Sequence, residues 1–97
     1  MLEYINGEIT SLTPTYAVLD VHGVGFGVNI SLSTYTAIQG KTDAKLFLYE
    51  VIREDSFTLY GFATAEERSM FLLLMSVQGA GAATARMVLS SLSVYEI

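Results

Sequence analysis

Residues 44–62, AKLFLYEVIREDSFTLYGF, decide the fold because they predict two strands joined by a short polar loop. Apolar side chains recur along Ala44 to Ile52 with the period of a strand that has one buried face. The polar run Arg53-Glu-Asp-Ser56 predicts a hairpin loop, and Phe57 to Phe62 predicts the returning strand. The side chains expected on the buried face of the first strand are Leu46, Leu48 and Ile52.

Three upstream stretches also have strand character. They are Tyr4 to Ile9, interrupted by Asn6-Gly7, then Tyr16 to Val21, and Gly25 to Ile30. His22-Gly23 predicts a tight turn between the second and third of them.

A short helix is expected between the third and fourth strands. It would cover Thr34 to Gln39, with Ser33 as its N-cap and Gly40 at its end. Five short strands with one small helix in this place predict an OB-type β-barrel over residues 1–62.

From residue 63 onward the apolar period becomes helical. Thr64 and Glu67 have the spacing of a capping box, in which each side chain binds the backbone N–H of the other residue. The helix that they open is expected to run through Val77 and to stop at Gly79.

Two further helices are expected, one from about Ala82 to Ser91 and one that begins at Ser93. Because the sequence ends at Ile97, one turn into the last helix, we expect it to be part of a longer protein. Residues 63–97 are thus expected to begin a truncated helical domain that contains a helix-hairpin-helix.

Composition limits the class of protein. Of the 97 residues, 52% are hydrophobic and 15% are charged, which excludes disorder and leaves apolar surface for contact with another subunit. The absence of cysteine excludes disulfides and thiolate metal sites. Residues 1–10 lack a secretory signal, and the longest apolar run, Met70 to Met75, is far too short to span a membrane. We expect a soluble cytoplasmic protein without a membrane partner.

The run Met70 to Met75 allows two interpretations. It is apolar on all sides, which indicates burial on most of the helix surface. Either it is a plain core helix, or one side of it forms a subunit interface.

Charge disfavours nucleic acid as a partner, because phosphate binding is usually driven by Lys and Arg. The formal net charge is −5. The basic residues are Lys41, Lys45, Arg53, Arg68 and Arg86.

The glycine-rich segment between the predicted helices is the first candidate site. Gly79 permits a left-handed helix end, and Gly81 lets backbone approach a ligand closely. The free amides from Gly81 to Thr84 would favour a DNA phosphate without any base contact. The alternative is a helical hairpin whose turn needs glycine for conformation alone. The residues that would line this site are Gly79, Ala80, Gly81, Ala82, Ala83, Thr84 and Arg86.

Glu54 and Asp55, at the predicted hairpin tip, are the second candidate. A solvated turn explains them on turn statistics. Alternatively, they form an acidic pin whose carboxylates repel phosphates and hold strands apart.

No pattern of catalytic residues is visible. His22 is the single histidine, so with no cysteine neither a Cys–His pair nor a His-rich metal site can be built. The glycines from His22 to Gly27 precede a strand and not a helix, which excludes a nucleotide-binding loop. We expect no enzyme activity, no metal and no cofactor.

Several segments together resemble the RuvA family, which holds four-way (Holliday) DNA junctions during branch migration in recombination and repair. The resemblance follows the chain in order and is most specific in "REDS" followed by "LYGF". The matching segments are Leu19–Phe26, Val51–Ser56, Leu59–Phe62, Glu66–Arg68, Phe71–Leu73, Val77–Gly81, Ala85 and Met87–Ser93.

The resemblance implies a non-catalytic subunit that forms a tetramer, or two stacked tetramers, around a four-way junction. It implies an acidic pin at Glu54 and Asp55 and a phosphate grip at the glycine hairpin. It also implies the RuvB ATPase as a partner, through a domain beyond Ile97, and the RuvC nuclease.

Two departures from the family pattern remove cations. Glu3-Tyr-Ile-Asn-Gly7 stands where the family usually has Gly-Arg-x-Arg-Gly, and Ala82-Ala83 replaces Pro-Lys. Both predict weaker phosphate binding with a smaller salt dependence.

Two other functions remain open. A general single-strand binder would use barrel aromatics such as Phe26, Phe47 and Tyr49 within a basic groove. A structural oligomerisation module would form a stable multimer with no affinity for DNA.

Overall fold

A computed structural model describes residues 2–78, 84–85 and 87–89. Within these ranges five strands form a closed barrel in the order β1-β2-β3-β5-β4, which confirms the predicted barrel architecture. The strands are β1 Tyr4–Thr13, β2 Tyr16–Val21, β3 Val24–Ile30, β4 Asp43–Ile52 and β5 Phe57–Phe62, and the helices are α1 Leu32–Ile38 and α2 Ala65–Gln78.

The parallel pairing of β3 with β5 closes the barrel. It covers two rungs, Asn29 with Tyr60 and Ile30 with Gly61, and the other four strand pairs are antiparallel. Alternate side chains point inward and form the core, as expected for strands of a small barrel. The buried core residues are Ile5, Ala17, Leu19, Val28, Ile30, Ile38, Ala44, Leu46, Leu48 and Leu59.

Strand β1 is continuous through Gly7, so the interruption predicted at Asn6-Gly7 is wrong. The irregularity lies between Ile9 and Ser11, where the register with β2 shifts. Gly7 serves a different purpose, because a Cβ there would lie 2.5 Å from the carbonyl oxygen of Asp20. The glycine lets two backbones approach closely where β1 curves across β2.

The His22-Gly23 turn between β2 and β3 is confirmed. Both residues have positive φ, 53° at His22 and 90° at Gly23. A two-residue hairpin turn of this conformation matches the twist of the flanking strands. The carboxylate of Asp20 fixes it by accepting from the Gly23 N–H at 2.8 Å.

Helix α1 begins two residues earlier than predicted, so Ser33 is not its N-cap. Ser31 takes that role, and its hydroxyl accepts from the Thr34 N–H at 3.1 Å. The helix ends before Gly40, which adopts a φ of 84°. Serine is a favoured N-cap residue, so Ser31 and Ser33 are equally suitable by local sequence. The cap is Ser31, which is buried against other elements of the fold.

Helix α2 packs on the outer face of the barrel through aromatic rings. Phe71 is fully buried, and its ring centroid lies 5.0 Å from that of Phe62, 5.3 Å from Tyr60 and 5.8 Å from Tyr49. Residues 84–85 and 87–89 are helical, as predicted, and Val88 joins the same cluster. The helix predicted from Ser93 lies outside the described residues.

Replacing Gly7 by alanine tests the close approach of β1 to β2. We expect Gly7→Ala to lower the free energy of unfolding by about 1–3 kcal/mol, since backbone must move to admit the methyl group. Gly25→Ala is the matched control, because a Cβ there meets only Val18 at 3.6 Å. Urea denaturation of both variants measures the difference, and equal stabilities would contradict this account of β1.

Candidate nucleic-acid interface

The β4–β5 hairpin extends beyond the rest of the barrel. Pairing of β1 with β4 reaches only as far as Phe47, and pairing of β3 with β5 begins at Tyr60. The last rung of the hairpin, Ile52 with Phe57, therefore has no neighbouring strand on either side. The Ile52 side chain is 70% exposed, so the prediction that it is buried with Leu46 and Leu48 is wrong.

The tip of this ribbon carries Glu54 and Asp55. Both are exposed, as is the whole loop from Arg53 to Ser56. The Arg53 N–H donates to the Ser56 carbonyl at 2.8 Å and closes the loop. The two carboxylates thus lie at the end of a projecting hairpin. They are in contact with solvent, and the barrel does not cover them from a ligand.

The glycine hairpin lies largely outside the described residues, namely Gly79, Ala80, Gly81, Ala82, Ala83 and Arg86. Of the predicted grip, only Thr84 is described, and it is helical and partly buried. The phosphate grip therefore stays a prediction.

Helix α2 is apolar on two sides. Phe71 and Met75 point into the aromatic cluster. On the other side, Met70, Leu73 and Val77 form an exposed stripe, since positions separated by three or four residues share a helix face. Burial on most sides is thus wrong for Met70 to Met75, because one side is core and the other is open. We call Met70, Leu73 and Val77 the exposed stripe.

A group of cations and rings on the β1–β4 seam was missed by sequence reasoning. The Lys45 ammonium lies 4.2 Å from the ring centroid of Tyr4 and 5.2 Å from that of Phe47. The Arg68 guanidinium approaches Phe47 at 5.5 Å. Alternation places Lys45 and Phe47 on the same face of β4, but the pairing of Tyr4 with Phe47 across the β1–β4 seam could not be seen in the sequence.

The barrel aromatics do not form a single track of the kind that stacks successive bases. Phe26 packs against the barrel core, and Tyr49 packs against Phe71 and Tyr60. Phe47 lies beside Tyr4 on the β1–β4 seam, 6.3 Å away between centroids. The three rings that a single-strand binder would need are thus engaged in three different places.

Lys41 and Lys45 lie at the opposite end of β4 from the acidic pair Glu54 and Asp55. Lys41 and Lys45 line a cavity of about 470 Å³ near the beginning of the strand, together with Asn6, Asp43 and Thr64. Glu54 and Asp55 follow its other end. Among the described residues, no three His, Cys, Asp or Glu side chains are grouped as a metal site would require. In the same ranges, no helix has the length and apolar character to cross a membrane.

Comparison with known proteins places the chain in a family. The model of the RuvA N terminal domain matches residues 1–61, which is the barrel. The chain belongs to this family.

Curated relatives named "Holliday junction branch migration complex subunit RuvA" match over all 97 residues. The identities are 60% with the RuvA of Bacteroides fragilis, 58% with that of Bacteroides thetaiotaomicron and 48% with that of Porphyromonas gingivalis. In each case the match covers 48% of the relative. The chain therefore spans about half the length of the RuvA proteins it matches.

Proposed function

We propose that this chain is a non-catalytic, junction-binding part of a Holliday junction branch migration complex. The observation that carries the proposal is the projecting acidic ribbon in a chain of the RuvA family. Residues 1–62 act as the barrel domain, and residues 63–97 begin a helical domain with a helix-hairpin-helix. The protein works in the cytoplasm, where its DNA substrate lies.

The acidic ribbon acts as a pin at the crossover. DNA backbones approaching Glu54 and Asp55 are repelled by the two carboxylates, and the repulsion acts over about 8–10 Å at physiological salt. Duplex arms then remain on either side of the tip, and the crossover strands stay separated. Selection of a junction in this way depends on the placement of charge and not on base sequence.

The glycine hairpin supplies the attraction. Amides from Gly81 to Thr84, where the sequence predicts the start of a helix, bind a phosphate of one duplex arm, and Arg86 adds a cation two residues beyond Thr84. Neither interaction reads a base, so the grip is independent of sequence. With Ala82-Ala83 where the family usually has a lysine, each grip is weak.

Several copies of the chain assemble around one junction. The exposed stripe of α2 supports this proposal, because three large apolar side chains lie together on one open helix face. We propose a tetramer, or two stacked tetramers. The RuvB ATPase would join through sequence beyond Ile97, and the RuvC nuclease would act on the same junction.

A binding titration tests the function directly. At low salt the chain is expected to bind a four-way junction more tightly than a linear duplex of equal length, as followed by fluorescence anisotropy. The dependence on salt should be shallow, since few cations are available to release counterions. Preference for single strands would favour the single-strand binder. A stable multimer without DNA binding would leave only the oligomerisation module.

Neutralising the ribbon tip tests the pin. The double variant Glu54→Gln with Asp55→Asn should bind the junction about two- to tenfold more tightly at low salt, because exposed charge repulsion is modest. It should also open the crossover less, as reported by 2-aminopurine placed there. The control is Glu8→Gln with Asp43→Asn, an exposed cross-strand pair that removes the same charge at the far end of β4. If both double variants behave alike, net charge explains the effect and the pin is wrong.

Charging the exposed stripe tests assembly. Leu73→Glu should convert the multimer to a monomer and leave the far-ultraviolet circular dichroism unchanged, because Leu73 is 59% exposed. Leu72→Glu introduces the same charge on another side of α2 and should preserve assembly. Light scattering after size exclusion gives the masses. A monomeric parent chain, or a Leu73→Glu variant of parental mass, would exclude this interface.

A further inference from the structure

The first turn of α2 contacts the barrel on two sides through consecutive residues. The Glu67 carboxylate accepts hydrogen bonds from the hydroxyls of Ser31 and Thr34, the latter at 2.7 Å. Ser31 is the N-cap of α1, and both hydroxyl residues are buried. The Thr34 hydroxyl oxygen also accepts from the Ala63 N–H at 3.2 Å. Helix α1, the connection after β5 and helix α2 thus meet in one polar network.

This arrangement differs from the capping box that the sequence predicted. Thr64 does accept from the Glu67 N–H at 3.1 Å, so half of the box is present. The other half would return the Glu67 carboxylate to the N–H of Thr64. The carboxylate instead binds hydroxyls that lie 33 and 36 residues earlier in the chain.

Arg68 binds the barrel on the β1–β4 seam. Its Nη1 donates to the carbonyl of Glu3 at 3.0 Å and to that of Leu48 at 3.2 Å. Its Nη2 forms an ion pair with the Glu3 carboxylate. The Leu48 N–H donates to the Glu3 carbonyl at 2.9 Å. The guanidinium therefore binds where β4 is already hydrogen-bonded to the backbone that leads into β1.

The two polar contacts lie on either side of the apolar one. Phe71 follows Glu67 by four residues and Arg68 by three, so on the helix surface it lies between and below them. Ring packing around Phe71 decides which side of α2 faces the barrel, but tilted ring pairs accept a range of geometries and set the direction of the helix axis only weakly. Hydrogen bonds are directional, and a guanidinium with two carbonyl acceptors and a carboxylate has little freedom.

We propose that Glu67 and Arg68 are positioning residues that fix the angle of α2 on the barrel. Their effect reaches two features that the proposed function requires, on which this inference rests. One is the exposed stripe, which sets where a second copy sits. The other is the acidic tip at Glu54 and Asp55, whose place relative to the stripe follows from that angle.

The absence of cysteine allows a direct measurement on the 97-residue chain. Spin labels at Ser56→Cys, beside the acidic tip, and at Ser76→Cys, on α2, report the distance between the two elements. Both serines are exposed. Adding Glu67→Gln and Arg68→Gln should roughly double the width of the distance distribution, because α2 would then take several orientations on the barrel instead of one.

The matched control is Glu66→Gln with Lys41→Gln, which removes the same charges at exposed positions. It should leave the distribution unchanged. Thermal unfolding is followed in parallel, because a merely structural role would lower the melting temperature and leave the distribution narrow. A narrow, unshifted distribution in the folded Glu67/Arg68 variant would overturn the proposal. If that variant does not fold, the single changes Glu67→Gln and Arg68→Lys are judged by the same criterion.

Junction binding by the same variants separates this inference from the proposed function. A broadened distribution with weaker junction preference supports both. A broadened distribution with junction preference absent even in the parent chain supports the positioning role and overturns the function.

Discussion

Residues Leu59 to Phe62 of strand β5 are buried on both faces of the strand, and the rest of the structure depends on this. Its inner face completes the barrel, where a Cβ on Gly61 would lie 3.1 Å from Leu46 and 3.3 Å from Val28. Its outer face presents Tyr60 and Phe62 to Phe71 of α2. Because one strand serves both contacts, barrel closure and helix docking cannot vary independently. Its partner β4 then determines where the acidic tip projects, since the two strands share the hairpin.

Elements with a local cause could be predicted from the sequence. The strands have a period of two, the His22-Gly23 turn has its own conformational demand, and α2 opens with a side-chain cap. The mistakes occur where distant residues decide. Ser33 and Ser31 are equivalent as local caps, and Ser31 is chosen because Glu67 binds it across the fold. Alternation places Ile52 on the buried face of β4. However, β4 continues beyond the end of its pairing with β1, so the Ile52 side chain lies in solvent.

The same distinction applies to the candidate site. The acidic tip was predictable because a polar loop between two strands must lie at a hairpin end. The contacts of Glu67 and Arg68 were not, since the salt bridge of Arg68 joins residues 65 positions apart. The exposed stripe was half predictable. The period of α2 showed apolar residues on all sides, but which side the barrel covers follows from Phe71 entering a space between Tyr49, Tyr60 and Phe62.

The charge of the chain makes assembly a condition of the proposed function. A chain with net charge −5 has little general attraction for DNA, and Arg68 is engaged with Glu3. Lys41 and Lys45 lie at the end of β4 opposite the tip, and Arg53, which precedes Glu54, offsets only one of the two carboxylates there. A single weak phosphate grip would then compete poorly with repulsion. When several copies surround one junction, each duplex arm that is bound raises the effective concentration of the remaining phosphate grips. The overall affinity of the assembly then exceeds that of any single grip. A linear duplex offers fewer arms to the same assembly. Repulsion at the centre and multivalent attraction at the periphery therefore both favour a branched substrate, and the open apolar side of α2 is what would join the copies.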